Sequence, residues 1–248
     1  MVERIAESIA RSQPAVALTG AGHSTPSGIP DFRSPGTGLW DKIDPMEVAS
    51  IHGFMANPAK FYRFMAPLSE MVKNSKPNPA HYALAELGEM GLLKSVITQN
   101  IDNLHQEAGS KNVIELHGSG ETGTCMNCGK NFPRADFEPL LDAESVPRCD
   151  GCGGVIKPDV VLFGEALPYE ALMQAQKDSE SCGVMLVVGS SLTVAPASML
   201  PQLALRAGAK VSIINLQSTY MDPHAYAVLH EKLEEAVPAI VERVKEKV

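Results

Sequence analysis

Val96-Ile-Thr-Gln-Asn-Ile-Asp-Asn-Leu-His-Gln-Glu-Ala-Gly-Ser-Lys-Asn-Val-Ile-Glu-Leu-His-Gly118 is the stretch from which the fold follows. Two short β-branched runs, Val96–Thr98 and Val113–Ile114, bracket a polar segment able to form a short helix ending at Gly109. That is a strand–helix–strand unit. It sets Gln99, Asn100 and Asp102 at the carboxyl end of the first strand and His117 at the end of the second. Open parallel sheets bind ligands outside the carboxyl ends of their strands, so these four side chains are predicted to share one crevice. Taken singly, Asn100 or Asp102 reads as a helix cap and His117 as a surface histidine. Four such residues at two strand ends read as a site.

The same rhythm extends in both directions. Val2, Ile5, Ala6 and Ile9 share one face of an N-terminal helix that Pro14 stops. Ala15–Thr19 is a buried strand that runs into Gly20-Ala-Gly-His-Ser-Thr-Pro-Ser-Gly-Ile-Pro-Asp-Phe-Arg33. A strand opening into Gly-x-Gly lets backbone approach a pyrophosphate, yet Thr25 stands where a third glycine would fall. Taken alone, the glycine pair is as well read as a tight turn. Gly38–Lys73 is helical and aromatic, and Asn78-Pro79 caps the helix that follows. Beyond His117, Asp159–Phe163, Val184–Val188 and Lys210–Ile214 read as further strands, separated by helices opening at Pro168 and Pro196. A last amphipathic helical stretch runs from Leu229 to Val244, with a break expected near Pro238. Six strands alternating with helices predict an α/β fold, a doubly wound parallel sheet.

Residues 119–154 break the rhythm, being polar and glycine-rich. Cys125-x-x-Cys128 and Cys149-x-x-Cys152 stand 20 residues apart, the spacing of a four-cysteine structural zinc site. A redox pair would need only one C-x-x-C, at a helix N-terminus. Four thiolates fill a tetrahedral shell and leave no position for a catalytic water, so zinc here is expected to be structural. The fifth cysteine, Cys182, reads as a small buried hydrophobe.

A chain of 248 residues with net charge -8 lacks the basic face that non-specific nucleic-acid binding needs, although an acidic rim would attract a basic peptide. No apolar run approaches the ~20 residues of a membrane span, and the first residues do not form a signal peptide. A cytoplasmic protein is expected.

Gly20–Arg33, T-Q-N-I-D-N-L-H, E-L-H-G, the paired C-x-x-C, P-D-V-V-L-F-G-E and G-S-S-L-T-V-A-P occur in the order seen in sirtuins, and the chain resembles that family from Ala15 to Asn215. The resemblance implies a Rossmann-like NAD-binding domain of residues 1–37, 76–118 and 155–248. Inserted in it are a helical module, 38–75, and a small zinc-binding module, 119–154. It implies NAD-dependent removal of acyl groups from lysine in an extended peptide, with NAD consumed and one structural zinc. Gly20, Ala21, Gly22 and Ser24 match the pyrophosphate loop, and Asp31, Phe32 and Arg33 the loop that closes over the nicotinamide ribose. Gln99, Asn100, Ile101 and Asp102 match residues that position the ribose and carboxamide, with Asn100 and Asp102 catalytic beside His117, the general base. Gly189, Ser190 and Ser191 match phosphate and ribose contacts, and Asn215 and Leu216 the adenosine end. Val161, Leu162, Phe163 and Gly164, with Val194 opposite, match the segments that clamp the peptide by strand addition.

The chemistry accounts for these residue types. A ribose 2′-OH is a poor nucleophile without a base, and histidine titrates near ambient pH. Asn and Asp can twist a carboxamide, and a closing aromatic loop keeps water out. Two departures stand out. His23 occupies a position that is usually aliphatic, and is expected to point to solvent rather than to touch a phosphate. The family's succinyl-preferring members carry a Tyr and, three residues on, an Arg that holds the carboxylate; here Tyr62 is followed at that spacing by Met65, so the resemblance implies neutral acyl groups over acidic ones. An ADP-ribosyltransferase on the same fold, and a non-catalytic zinc and nucleotide-binding module, are the competing readings. An ordinary NAD dehydrogenase lacks its ribose-binding carboxylate here.

Overall fold

The computed structural model describes residues 1–248 except Arg33, Pro35, Thr37, Lys42 and 139–145, and except the side chain of Asp41. Its strands are β1 (Ala15–Thr19), β2 (Leu93–Thr98), β3 (Val113–Glu115), β4 (Gly118–Cys125), β5 (Asn131–Pro133), β6 (Ile156–Val160), β7 (Val184–Val188), β8 (Lys210–Ile214) and β9 (Ala227–Leu229). The chain divides into two compact units, one of residues 1–30, 76–116 and 168–248, the other of residues 31–75 and 117–167.

The first unit is built on a six-stranded sheet in the order β3-β2-β1-β7-β8-β9, every pair parallel. β1 and β7 are buried at all five positions, as continuous apolar strands covered on both faces must be. The chain winds outward from β1 to β3, then returns to β7 and winds out the other way. The topological switch therefore falls between β1 and β7, and the crevice outside their carboxyl ends opens at Gly20 and Gly189. Helices Val2–Arg11, Pro79–Glu89 and Leu233–Lys245 pack together through Ile5, Ile9, Leu84, Leu87, Val237, Ile240, Val241 and Val244. Burying each large aliphatic side chain contributes about 1.5–3 kcal/mol. Helices Tyr169–Ser181 and Leu200–Arg206 pack against one another.

The second unit joins the helical stretch to the cysteine region. In its three-stranded antiparallel sheet, β4 lies between β5 and β6. Phe54, Phe61 and Tyr62 meet edge to face, with centroids 5.2–6.1 Å apart, and the Tyr62 hydroxyl donates to the Ile156 carbonyl.

Three expectations about elements are corrected. Asp159–Phe163 is not a strand of the parallel sheet. The strand there is β6, Ile156–Val160, held antiparallel to β4 as the return arm of the cysteine module. The sixth strand of the large sheet is β9, which runs parallel to β8. Leu229 therefore ends a strand, and the last helix starts only at Leu233. That helix also continues through Pro238. Pro238 lies in its second turn, where the lost hydrogen bond is one of the first of the ladder, and buried Val237, Ile240, Val241 and Val244 hold the axis against the sheet.

Candidate functional site

β1 ends at Thr19 and the chain turns at once into a short 3-10 turn, Ala21–His23. This turn and the one after β7 lie in backbone contact. Gly22 N–H donates to the Gly189 carbonyl at 2.9 Å, and a Cβ on Gly22 would come within 2.8 Å of that same oxygen. Gly189 has φ +64°, and a Cβ on it would meet the His23 nitrogen at 2.2 Å. These glycines therefore serve the approach of the two turns to one another as well as any ligand. Gly189→Ala is expected to cost about 3 kcal/mol or more, because the left-handed conformation and a backbone clash add. Chemical denaturation checks this, and a loss under about 1 kcal/mol would contradict the packing described.

The polar residues outside β1, β2 and β7 form one network. Asn100 Nδ2 donates to the Gly20 carbonyl at 3.1 Å and to Ser24 Oγ at 3.0 Å, and Ser24 Oγ donates to Asp102 Oδ2 at 2.6 Å. The other Asp102 oxygen accepts from Leu104 N–H at 3.0 Å. Burial raises the Asp102 pKa, and the hydrogen bonds from Ser24 and Leu104 oppose that rise. Gln99 Nε2 donates to Ser190 Oγ at 2.9 Å and to the Thr19 carbonyl at 3.3 Å. Gly20, Ala21, Gly22, Ser24, Gln99, Asn100, Ile101, Asp102, Gly189 and Ser190 thus gather at one sheet edge. Ser191, exposed, bonds Thr193 Oγ1, and Leu216 is 65% exposed. Asn215 stands at the end of β8, its N–H donating to the Leu229 carbonyl.

Behind this network lie residues that the sequence reading did not assign to the site. Thr19 Oγ1 donates to Thr98 Oγ1 and contacts His105 Nε2, both at 2.9 Å, and Thr98 Oγ1 accepts from Asn100 N–H at 3.1 Å. Asn78 caps its helix and also donates to the His23 carbonyl at 2.8 Å, tying the loop down. A threonine closing each of two neighbouring strands was the available signal.

His23 does not face solvent. It is fully buried, with its ring turned inward against His81 and His105. Its backbone is committed to the Gly189 turn, which leaves the side chain only the interior side of the loop.

In the second unit, His117 follows Leu116 directly, and its carbonyl accepts from Val161 N–H at 2.8 Å. Phe163 N–H donates to the Ala49 carbonyl and its own carbonyl accepts from Ile51 N–H, while Leu162 N–H donates to Glu165 Oε2 at 2.8 Å. The amides of Val161, Leu162 and Phe163 are thus all engaged within the protein. Asp31 accepts from Ser34 N–H at 2.6 Å, and Phe32 stacks on Trp40 with centroids 5.0 Å apart. Arg33 lies outside the described residues.

The four cysteines are a third cluster. Cys125 and Cys152 Sγ lie 3.5 Å apart, Cys128 and Cys149 Sγ 3.7 Å apart, and all four lie within 4.8 Å of one another. Tetrahedral zinc with Zn–S near 2.3 Å needs sulfurs about 3.8 Å apart, so the set fits. Gly129 N–H donates to the Cys125 carbonyl and Gly153 N–H to the Cys149 carbonyl, which folds each pair into a matching turn. Among the described residues, no helix is long and apolar enough to cross a membrane.

A doubly wound sheet with a polar crevice at its switch point and an inserted tetracysteine module defines a nucleotide-binding protein with a structural metal site. The profile of the Sir2 family matches residues 20–196. The chain is 49% identical to NAD-dependent protein deacetylase 1 of Pyrobaculum aerophilum, over 98% of this chain and 95% of that one. It is 47% identical to NAD-dependent protein deacylase 2 of Archaeoglobus fulgidus, over 98% of this chain and 96% of that one. A solved Sir2 structure holding an inhibitor, 2′-O-acetyl-ADP-ribose and deacetylated p53 peptide is 42% identical, with TM-score 0.86 over 95% of this chain and 96% of that one. The chain belongs to the Sir2 family.

Proposed function

We propose that the protein removes acetyl and other neutral acyl groups from lysine side chains of other proteins, consuming NAD and giving nicotinamide, 2′-O-acetyl-ADP-ribose and free lysine. The observation that carries this reading is the Asn100–Ser24–Asp102 network at the switch point of a chain belonging to the Sir2 family. The named relatives are deacylases, and the solved Sir2 structure holds the products such a reaction leaves. When bound, NAD supplies an activated ribose carbon whose bond to nicotinamide can break.

The remaining work belongs to the chain. Ser24, with Gly20–Gly22 and Gly189–Ser191, holds the diphosphate region, and Asn215 and Leu216 the adenosine end. Gln99, Asn100, Ile101 and Asp102 orient the nicotinamide ribose and carboxamide. The support for this is that their side chains are already ordered, so little orientational freedom remains to be lost on binding. Asp31, Phe32 and Arg33 exclude water, and His117 takes the proton of the ribose 2′-OH. Val161–Gly164 and Val194 flank the extended peptide. A three-part division into residues 1–37 with 76–118 and 155–248, 38–75, and 119–154, and a cytoplasmic setting that keeps the cysteines reduced, belong to the same proposal.

Mass spectrometry of an acetyl-lysine peptide in oxygen-18 water, with and without NAD, tests the reading. The expected result is loss of the acetyl mass only with NAD, together with O-acetyl-ADP-ribose carrying one water-derived oxygen. Nicotinamide release with an unchanged peptide would instead indicate ADP-ribosyl transfer to another protein acceptor, NAD hydrolysis, or a different acyl group as substrate. A succinyl-lysine peptide is expected to show kcat/KM at least about tenfold below the acetyl peptide, because its carboxylate would be desolvated without a cation. The Tyr62 hydroxyl offers it little, being buried and committed to the Ile156 carbonyl. Equal rates would overturn the neutral preference.

A further inference from the structure

Three imidazoles meet beneath the glycine turn, and the chemistry above uses none of them. His23, His81 and His105 are 0–1% exposed, with ring centroids 4.4–4.8 Å apart. Both nitrogens of His23, Nε2 of His81 and Nδ1 of His105 are buried with no hydrogen-bond partner among the described residues. A buried polar group left unmet is costly, and a bound ion or water is among the standard explanations. One nitrogen from each ring can be chosen so that all three lie within 4.8 Å of one another.

We propose that His23, His81 and His105 form a second metal site, a tri-imidazole pocket for a borderline divalent transition-metal ion of the Ni(II)–Zn(II) class. Neutral imidazole is a suitable ligand for such ions. Burial keeps the rings neutral, lowering His81 to about 4, His105 to about 3 and His23 well below the ordinary histidine range, so no proton competes at neutral pH. His105 is already in the ligating tautomer. The Thr19 hydroxyl donates to Thr98, so it accepts from His105 Nε2–H and leaves the Nδ1 lone pair free. This is the outer-sphere hydrogen bond that ligating histidines usually make. His81 Nδ1 accepts the Asn78 amide at 3.2 Å, and ligation through Nε2 gives up that long hydrogen bond. Donors around a four-coordinate ion stand about 3.3 Å apart, and rotation about the soft χ2 torsions of the three rings closes the difference. The three ligands come from the Ala21–His23 turn, the Pro79–Glu89 helix and the Leu104–Glu107 turn. An ion there would pin the loop that carries Ser24.

The test uses tag-free, zinc-replete protein dialysed to equilibrium against Ni(II), with both metals counted by mass spectrometry. Wild type is expected to hold one zinc and one nickel per chain. His23→Leu is expected to lose at least tenfold of the nickel while keeping its zinc, and His230→Gln, at an exposed histidine, is expected to keep both. X-ray absorption of the wild-type nickel, which needs no variant to fold, is expected to show imidazole nitrogen and no sulfur. No nickel in wild type, equal nickel in His23→Leu, nickel lost in His230→Gln, or a sulfur shell would each overturn the site. None of these readouts depends on deacylation.

Discussion

Replacing His117 with alanine is expected to lower kcat on an acetyl-lysine peptide by ~10²–10⁴-fold, the usual contribution of a positioned general base. The backbone on either side is fixed independently of the ring. Leu116 N–H donates to the Thr98 carbonyl at 2.9 Å, the His117 carbonyl accepts from Val161, and Gly118 takes φ +72° with its α-carbon close against the Asp159 carbonyl. Removing the imidazole therefore leaves the chain path intact, and zinc content and melting temperature are expected to stay near those of wild type. The order of events sharpens the test. Proton removal from the 2′-OH follows cleavage of the nicotinamide bond, so peptide-dependent exchange of labelled nicotinamide into NAD is expected to persist in the variant. Wild-type turnover would remove His117 from the mechanism. Loss of exchange and turnover together, with the fold intact, would move its role to NAD binding.

Much of this was legible in the sequence because the information is local. Ala15–Thr19, Val184–Val188 and Lys210–Ile214 are short apolar runs ended by glycine or asparagine, and each became a strand of the parallel sheet. The strand-end rule then brought Gln99, Asn100 and Asp102 to one edge without any knowledge of packing. What escaped was non-local. Ala227–Leu229 has only three residues, too few for a periodicity, and becomes a strand because β8 offers it an edge. Asp159–Phe163 looks like a parallel strand until its neighbour is known. Its N-terminal part is claimed by β4, and Phe163 pairs with Ser50. His23 is polar and sits in a glycine loop, so exposure was the natural expectation. Only the contact between the Gly22 and Gly189 turns dictates that its ring points inward. The contact of the threonine pair behind Asn100 was equally non-local, since Thr19 and Thr98 are 79 residues apart and meet only because β1 and β2 pair.

Removing zinc, by chelation or through Cys149→Ser, is expected to unfold the three-stranded sheet while the parallel sheet survives. Among the described residues, the buried cluster of that module is Cys125, Phe132, Phe137, Cys149 and Ile156. Two of these five described members are themselves thiols, so the module's buried cluster depends on the cysteines being held together. Structural zinc contributes about 10–16 kcal/mol of apparent binding energy, more than such a cluster can replace. The consequences follow the chain. β6 leads directly into Val161–Gly164, and Lys157 within it donates to the Val160 carbonyl and pairs with Glu165, whose carboxylate holds Leu162 N–H. Losing β6 therefore releases the segment proposed to clamp the peptide. Hydrogen exchange is expected to show lost protection across Gly118–Cys125 and Ile156–Val160, with β1, β7 and β8 still protected. Peptide turnover is expected to fall about a hundredfold or more, while NAD binding to the parallel-sheet unit weakens far less. Undiminished protection at Ile156–Val160 after zinc is removed would mean that β4 and β6 hold by strand pairing alone, and that the cysteines serve something other than folding.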